Sequence, residues 1–235
     1  MEKDKRLIKI LRYDPAVDSK PHWEEYEMEL DPEATILDVL NEIHWNIDGK
    51  LAYRRSCRSA ICGSCAMKVN GQNVLACETP IHRFKGKIKI EPLPGFTIIK
   101  DLVVDMESFF EKMNKVKPYL ILDRPVPDKE FKQTPEEFEQ IREAATCILC
   151  GACTSSCPSL WANENYMGPA ALLKAYRYIF DTRDDAANER IDIVNDKNGI
   201  WRCHTIFNCM EACPKSIKIT EYLSRLKVKV TENSI

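Results

Sequence analysis

The chain has 235 residues, of which 30% are charged and 9% aromatic, and its formal net charge is −2. This length allows two small domains, and such a balanced charge gives no bulk attraction to nucleic acid. No apolar stretch approaches the ~20 residues that a transmembrane helix needs. The start of the chain is charged and does not have the apolar core of a secretory signal, so we expect an intracellular, reducing compartment.

The first third of the sequence predicts a small sheet around one helix. Residues 7–13 and 23–30 alternate apolar and polar side chains, as half-buried strands do. Residues 35–47 repeat apolar side chains at helical spacing, with Ile47 as the last member of the apolar stripe. Asn70-Gly71 lies between two apolar runs, which is a strong hairpin signal. We therefore expect an α+β domain of the β-grasp type over residues 1–105.

From Val103 onward the sequence predicts helices. A helix over 104–116 would bury Phe109 and Phe110 on one stripe. Thr134-Pro135-Glu136-Glu137 combines a capping box with proline at the first helical position, which indicates a helix start. Three further helices are predicted; they cover residues 168–180, 189–195 and 220–230. Residues 106–235 are thus expected to form a second, mainly α-helical domain.

The eleven cysteines fall into three groups with the spacing of iron–sulfur ligands. The plant-type [2Fe-2S] spacing is formed by Cys57, Cys62, Cys65 and Cys77. Two later runs follow the bacterial ferredoxin spacing, and both end in Cys-Pro: Cys147-x2-Cys150-x2-Cys153-x3-Cys157-Pro158 and Cys203-x5-Cys209-x3-Cys213-Pro214. Every cysteine is used once, so the pattern predicts a plant-type ferredoxin domain followed by a bacterial-ferredoxin-like one.

The second run has Ile206 where a middle cysteine would stand. An aliphatic side chain cannot ligate iron, so one corner of that cluster has no protein ligand and a three-iron cluster is expected. In the bacterial pattern the fourth cysteine of each run ligates the other cluster. The [4Fe-4S] ligands are then Cys147, Cys150, Cys153 and Cys213. The [3Fe-4S] ligands are Cys157, Cys203 and Cys209.

Two other uses of the cysteines are less consistent with the sequence. Structural zinc favours separated C-x2-C pairs, which explains neither the Cys-Pro endings nor Ile206. A disulfide framework is disfavoured by the odd cysteine count and the short spacings.

No nucleotide-binding loop, hydrolase motif or zinc-protease motif is present, and no catalytic residue is assigned. Of the four histidines, His204 alone directly follows a predicted cluster ligand. A chain with electron-transfer centres but no site for organic chemistry is best interpreted as one subunit of a larger oxidoreductase.

The sequence resembles the iron–sulfur subunits of succinate dehydrogenase and fumarate reductase, the succinate:quinone oxidoreductases of respiratory complex II. The resemblance covers nearly the full chain, and these stretches carry it: Arg54-Arg55-Ser56-Cys57-Arg58-Ser59-Ala60-Ile61-Cys62-Gly63-Ser64-Cys65, Pro92-Leu93-Pro94-Gly95, Asp101-Leu102-Val103-Val104-Asp105-Met106, Cys147-Ile148-Leu149-Cys150 and Gly168-Pro169-Ala170.

The resemblance implies a flavoprotein (FAD) partner that interconverts succinate and fumarate, and one or more membrane anchor subunits. Electrons would enter at the [2Fe-2S] cluster and leave from the [3Fe-4S] cluster to a quinone. The chain would then lie on the cytoplasmic face of the cell membrane, or on the matrix face of an organellar inner membrane, held by the anchor. No nucleic-acid partner is expected.

The resemblance also implies a quinone site beside the three-iron cluster. Carried over to this chain, its residues are Pro158, Ser159, Trp161, His204 and Ile206. Many family members have two adjacent tryptophans here, whereas this chain has Leu160-Trp161-Ala162.

Three alternative functions stay open from the sequence. The chain could belong to a fumarate reductase that works in the reverse direction. It could be an iron–sulfur subunit of a heterodisulfide reductase or glycolate oxidase-like complex, although these normally carry two four-iron sites or cysteine-rich repeats. A nucleic-acid-directed iron–sulfur protein is disfavoured by the net charge of −2.

Overall fold

A computed structural model describes residues 4–233. The chain forms two compact units. The N-terminal unit comprises Met1–Met106 and Ile148–Ser155, and the C-terminal unit comprises Glu107–Cys147 and Ser156–Ile235.

A five-stranded mixed sheet organises the N-terminal unit. Its strands are β1 (Asp4–Arg12), β2 (His22–Leu30), β3 (Ala66–Val69), β4 (Gln72–Leu75) and β5 (Ile88–Glu91), arranged in the order β2-β1-β5-β3-β4. β1 pairs antiparallel with β2 and parallel with β5, and β3 pairs antiparallel with both β4 and β5. Asn70 and Gly71 both have positive φ, so the predicted β3–β4 hairpin closes through a turn of the type that Asn-Gly favours.

Helix α1 (Ile36–Asn46) packs on this sheet. Its N-cap is Thr35, which forms a capping box with Asp38. The buried face of the helix joins the apolar side chains of the strands in one core, in which Ile8, Ile10, Ile36 and Leu40 are fully buried. The packing of α1 on a mixed sheet confirms the predicted α+β class and the β-grasp arrangement.

The segment Ile148–Ser155 packs with the N-terminal unit, although the sequence-based division at residues 105 and 106 places it in the second domain. Asn73 donates a side-chain hydrogen bond to the carbonyl oxygen of Ala152 (3.1 Å). The hydroxyl of Ser155 donates to the carbonyl oxygen of Pro94 (2.7 Å). The short helix α4 (Ala152–Ser155) lies in this segment.

Helices form the C-terminal unit, as predicted. They are α2 (Glu107–Lys115), α3 (Pro135–Ala145), α5 (Pro158–Ala162), α6 (Gly168–Ile179), α7 (Ala187–Val194), α8 (Asn208–Glu211) and α9 (Ile219–Asn233). The capping box of Thr134 with Glu137 starts α3, as the sequence indicates. The buried helix α6 contacts α2, α3, α7 and α9, and Tyr176 donates from its hydroxyl to the carbonyl oxygen of Gln140 (3.0 Å).

Three sequence-based details are wrong. Val103–Val104 forms strand β7, which pairs with β6 (Ile98–Lys100), so the helix starts later, at Glu107. Phe110 is 43% exposed, because it is turned about 100° from the buried Phe109 around the helix. Ile47 is 55% exposed, because α1 ends at Asn46 and Ile47 is its C-cap.

Candidate iron–sulfur centres

The loop from Cys57 to Cys65 turns its backbone N–H groups towards sulfur. The amides of Ser59, Ile61 and Cys62 donate to Cys57 Sγ at 3.4, 3.3 and 3.3 Å. Arg58 has positive φ, which curls the loop tightly enough for these contacts. Several amide donors on one sulfur stabilise its thiolate form, which is the form that binds iron.

The β3–β4 hairpin returns Cys77 to the same loop, as its spacing predicts. The amide of Ala60, which also has positive φ, donates to Cys77 Sγ at 3.3 Å. Ser64 Oγ lies 3.1 Å from Cys62 Sγ and completes the polar contacts of the loop.

The thiols of this loop differ in how readily they ionise. The amide of Ser59, followed by those of Cys62 and Ile61, lowers the pKa of Cys57 to about 6. Burial raises the pKa of Cys65 to about 12. Iron binding would therefore have to release the proton of the Cys65 thiol, as metal binding to cysteine commonly does. The loop suits a cluster whose outer sulfur is stabilised by amides and whose inner sulfur is shielded from water.

The predicted [4Fe-4S] ligands are divided between the two units. Cys150 and Cys153 lie in the N-terminal unit, and Cys147 and Cys213 lie in the C-terminal unit. Cys213 Sγ accepts a hydrogen bond from the amide of Ile217 (3.4 Å), and burial raises the pKa of Cys213. The ligand set for this cluster stays a prediction from spacing.

The predicted [3Fe-4S] ligands line one cleft in the C-terminal unit. Cys157, Cys203 and Cys209 all contribute to its wall, together with Ile206. The cleft has a volume of about 330 Å³, including its open mouth. Cys157 and Cys209 are half-buried, and this burial raises the pKa of both thiols. The cleft therefore brings together the three predicted ligands and Ile206, and the cluster that they would hold stays a prediction.

Two hydroxyl groups at this cleft were not predicted from the sequence. Thr220 Oγ1 lies 3.4 Å from Cys209 Sγ, and Thr220 is almost fully buried. The buried Tyr166 also lines the cleft, and burial followed by the neighbouring thiols Cys203 and Cys157 raises the pKa of its hydroxyl. Hydrogen bonds to ligand sulfurs are one of the means by which proteins set cluster potentials.

Four of the five residues assigned to a quinone site line the same cleft, namely Pro158, Ser159, His204 and Ile206. Trp161 does not contribute to its wall and is 58% exposed. Phe207, which the sequence analysis did not select, lines the cleft and is 52% exposed.

Over residues 4–233, no group of three or more His, Cys, Asp or Glu side chains is placed to hold a metal ion. Within the same range, no helix is long and apolar enough to cross a membrane.

Two family models match the chain. Residues 7–111 match a 2Fe-2S iron–sulfur cluster binding domain, and residues 139–214 match a 4Fe-4S dicluster domain. The matched ranges contain the [2Fe-2S] cysteines and the two later cysteine runs, respectively. Both kinds of iron–sulfur domain are therefore present in this chain.

Two relatives match nearly the whole chain. The succinate dehydrogenase iron–sulfur subunit of Paracoccus denitrificans is 42% identical over 224 residues, which cover 94% of this chain and 86% of the relative. The fumarate reductase iron–sulfur subunit of Haemophilus influenzae is 39% identical over 240 residues, which cover 97% of this chain and 94% of the relative.

A chain in the structure of the Mycobacterium smegmatis Sdh1 complex in the apo form has the same fold. Its TM-score is 0.90 at 25% identity, with 98% of this chain and 97% of that chain covered. Identity above 30% over nearly the whole length, together with the two matched cluster domains, decides the assignment. The chain belongs to the family of succinate dehydrogenase and fumarate reductase iron–sulfur subunits.

Proposed function

We propose that this chain is the electron-transfer subunit of a succinate:quinone oxidoreductase. It passes single electrons from a flavoprotein subunit, where succinate is oxidised on FAD, to a membrane quinone. Iron–sulfur clusters supply single-electron exchange, and their potentials depend on cluster type, hydrogen bonds and exposure. The succinate chemistry belongs to the partner, since no catalytic motif was found in this sequence.

The observation that carries this proposal is the cleft in the C-terminal unit. Cys157, Cys203 and Cys209 would hold a [3Fe-4S] cluster there, and Ile206 leaves its fourth corner without a ligand. The same cleft opens to solvent beside exposed apolar side chains, including Phe207. An open, partly apolar cleft next to the last cluster suits a hydrophobic electron acceptor such as a quinone.

The remaining ligands follow from spacing and family membership. The [2Fe-2S] cluster would be held by Cys57, Cys62, Cys65 and Cys77. The [4Fe-4S] cluster would be held by Cys147, Cys150, Cys153 and Cys213. Each cysteine of the chain then has one role.

The quinone would contact Pro158, Ser159, His204 and Ile206, which line the cleft, and Trp161, which does not. His204 is exposed at the cleft and can donate a hydrogen bond to a quinone carbonyl. Quinone reduction consumes protons as well as electrons, and an imidazole side chain can act as a proton donor. A membrane anchor would cover this face and hold the chain at the cytoplasmic or matrix side of the membrane.

The reverse reaction, reduction of fumarate, is a second candidate function. It is suggested by one relative, the fumarate reductase iron–sulfur subunit of Haemophilus influenzae. The same residues would then carry electrons from quinol to fumarate. Assays of the purified complex in both directions, succinate with quinone and fumarate with quinol, would decide which is faster.

The proposal is tested by iron and labile-sulfide analysis together with EPR spectroscopy of the purified complex. We expect about nine iron atoms per chain, two plus four plus three. The oxidised sample should give a three-iron signal, and reduction should bring out the other two clusters. About ten iron atoms without a three-iron signal would contradict the proposed role of Ile206, and stoichiometric zinc would contradict the whole assignment.

A further inference from the structure

Gly63 brings the loop of the [2Fe-2S] ligands into backbone contact with the segment that carries Cys150. It lies between Cys62 and Cys65 and has a φ of +72°. A Cβ atom at Gly63 would lie 2.8 Å from the carbonyl oxygen of Ile148 and 2.9 Å from both Cα and Cβ of Cys150. Real Cβ atoms essentially never approach other atoms this closely, so any side chain here would push the two segments apart.

Positive φ alone does not account for this glycine. Gly71 has a φ of +87° and Gly86 a φ of +69°, yet a Cβ atom at either position would meet nothing within 4 Å. At Gly151, φ is +79° and the nearest atom is the flexible end of Met106 at 3.0 Å, which can move. At Gly63 the obstructing atoms are backbone and Cβ atoms, which cannot turn away without moving the chain.

The opposing segment is firmly held. Ile148 and Cys150 pack against the core of the N-terminal unit. The carbonyl oxygen of Ala152 accepts a hydrogen bond from Asn73, and Ser155 donates to the carbonyl oxygen of Pro94. Because this segment is anchored at several points, it cannot shift to make room for a side chain at Gly63. The cluster loop would have to move instead.

We propose that Gly63 is a positioning residue that sets the separation of the [2Fe-2S] and [4Fe-4S] clusters. This inference rests on the proposed function, which places Cys62 and Cys65 at one cluster and Cys150 at the next. The absence of a side chain lets the two ligand loops touch at their backbones. Single-electron transfer between centres weakens steeply with distance, so this contact keeps the transfer between the two clusters fast.

Two substitutions at each of two glycines distinguish two possible effects of a side chain. One is the steric contact between the cluster loop and the segment of Cys150, and the other is the strain of a non-glycine residue at positive φ. Gly63→Ala and Gly63→Asn add the same Cβ atom, but asparagine adopts positive φ more readily than alanine. Gly71→Ala and Gly71→Asn are the controls, because Gly71 also has positive φ but a Cβ atom there would contact nothing. Each variant is prepared as the full chain in its complex, and its cluster content is checked by iron analysis.

The main readout is EPR spectroscopy of the reduced [2Fe-2S] cluster. Its spin relaxation is accelerated by a nearby reduced [4Fe-4S] cluster, and this acceleration falls steeply with separation. We expect both Gly63 variants to keep the two clusters, to lose part of this acceleration, and to slow the passage of electrons from succinate to the three-iron cluster in rapid-freeze measurements. Both Gly71 variants should behave as the unaltered chain does.

Four results would overturn the inference. Unaltered relaxation in both Gly63 variants would show that the contact does not set the separation. Recovery in Gly63→Asn, or an equal loss in Gly71→Ala, would identify backbone strain as the cause. Loss of the [2Fe-2S] cluster from both Gly63 variants would assign the glycine to cluster assembly instead. Absence of the [2Fe-2S] and [4Fe-4S] signals from the unaltered complex would instead refute the proposed function.

Discussion

Thr220 Oγ1 lies 3.4 Å from Cys209 Sγ, with the hydroxyl in the first turn of α9 and the sulfur in α8. When Cys209 binds iron it is a thiolate, which can only accept a hydrogen bond, so Thr220 is the donor. A donor to a ligand sulfur stabilises the more negative, reduced state of a cluster. Thr220 should therefore raise the potential of the proposed [3Fe-4S] cluster.

Thr220→Val removes this donor and keeps the shape of the side chain. We expect the potential of the three-iron cluster to fall by on the order of tens of millivolts, about what the loss of one hydrogen bond to a charged group gives. A redox titration followed by the EPR signal of the oxidised cluster measures the change. Thr220→Ser retains the hydroxyl and serves as the control. Equal potentials in Thr220→Val and the unaltered chain would assign the hydroxyl a purely structural role.

Ile206→Cys places a thiol at the wall of the cleft that already holds Cys157, Cys203 and Cys209. We expect it to supply the missing ligand and to favour a four-iron cluster. The oxidised three-iron EPR signal should disappear, the iron content should rise by about one atom, and the added negative charge should lower the potential. Ile206→Val is the matched control and should keep the signal. Survival of that signal in Ile206→Cys would mean that the ligands are assigned incorrectly.

Local patterns in the sequence were sufficient to predict most of the fold. The Thr134 capping box and the Asn70-Gly71 turn are signals within a few residues, and both lie where the sequence places them. By contrast, Val103–Val104 carries an apolar run too short to tell a strand from the start of a helix.

The ligands of the candidate sites could be predicted because they depend on the spacing of cysteines along the sequence. The contacts that support those ligands could not be predicted, because they depend on tertiary packing. Thr220 lies eleven residues beyond Cys209, and its contact depends on how α9 packs beside α8. Likewise, the spacing C-G-S-C suggests a tight loop at Gly63, but only the folded chain shows that Cys150 lies against it.

Arg190 is fully buried and forms an ion pair with Asp184, which is also buried. It also donates to the carbonyl oxygens of Lys117 (2.9 Å) and Tyr119 (2.7 Å), and so fastens the chain after α2. Arg190→Met keeps much of the volume but leaves the Asp184 carboxylate buried without its partner. We expect the free energy of unfolding to fall by about 3–5 kcal/mol.

This loss is measured as the shift of the apparent Tm under one scan rate. We expect a decrease of roughly 6–20 °C for a chain of this size. Arg142→Met is the control, because it removes an arginine from an ion pair with Glu139 in which both side chains are more than half exposed. It should lower the free energy of unfolding by less than about 1 kcal/mol. Similar shifts in the two variants would contradict a stabilising role specific to the buried pair.

His204→Ala should slow the delivery of electrons to quinone and leave their entry intact. His204 directly follows Cys203, lines the cleft and is exposed there, so its imidazole can reach a bound quinone. Activity is compared with two acceptors, succinate with a dye that accepts electrons directly from the flavoprotein, and succinate with quinone. We expect a selective loss of about 100-fold with quinone, the lower end of the range for removing a general acid or base. His22→Ala, at an exposed position on the edge strand β2, should change neither rate. An equal loss with both acceptors, or no loss with either, would exclude a role for His204 at the quinone.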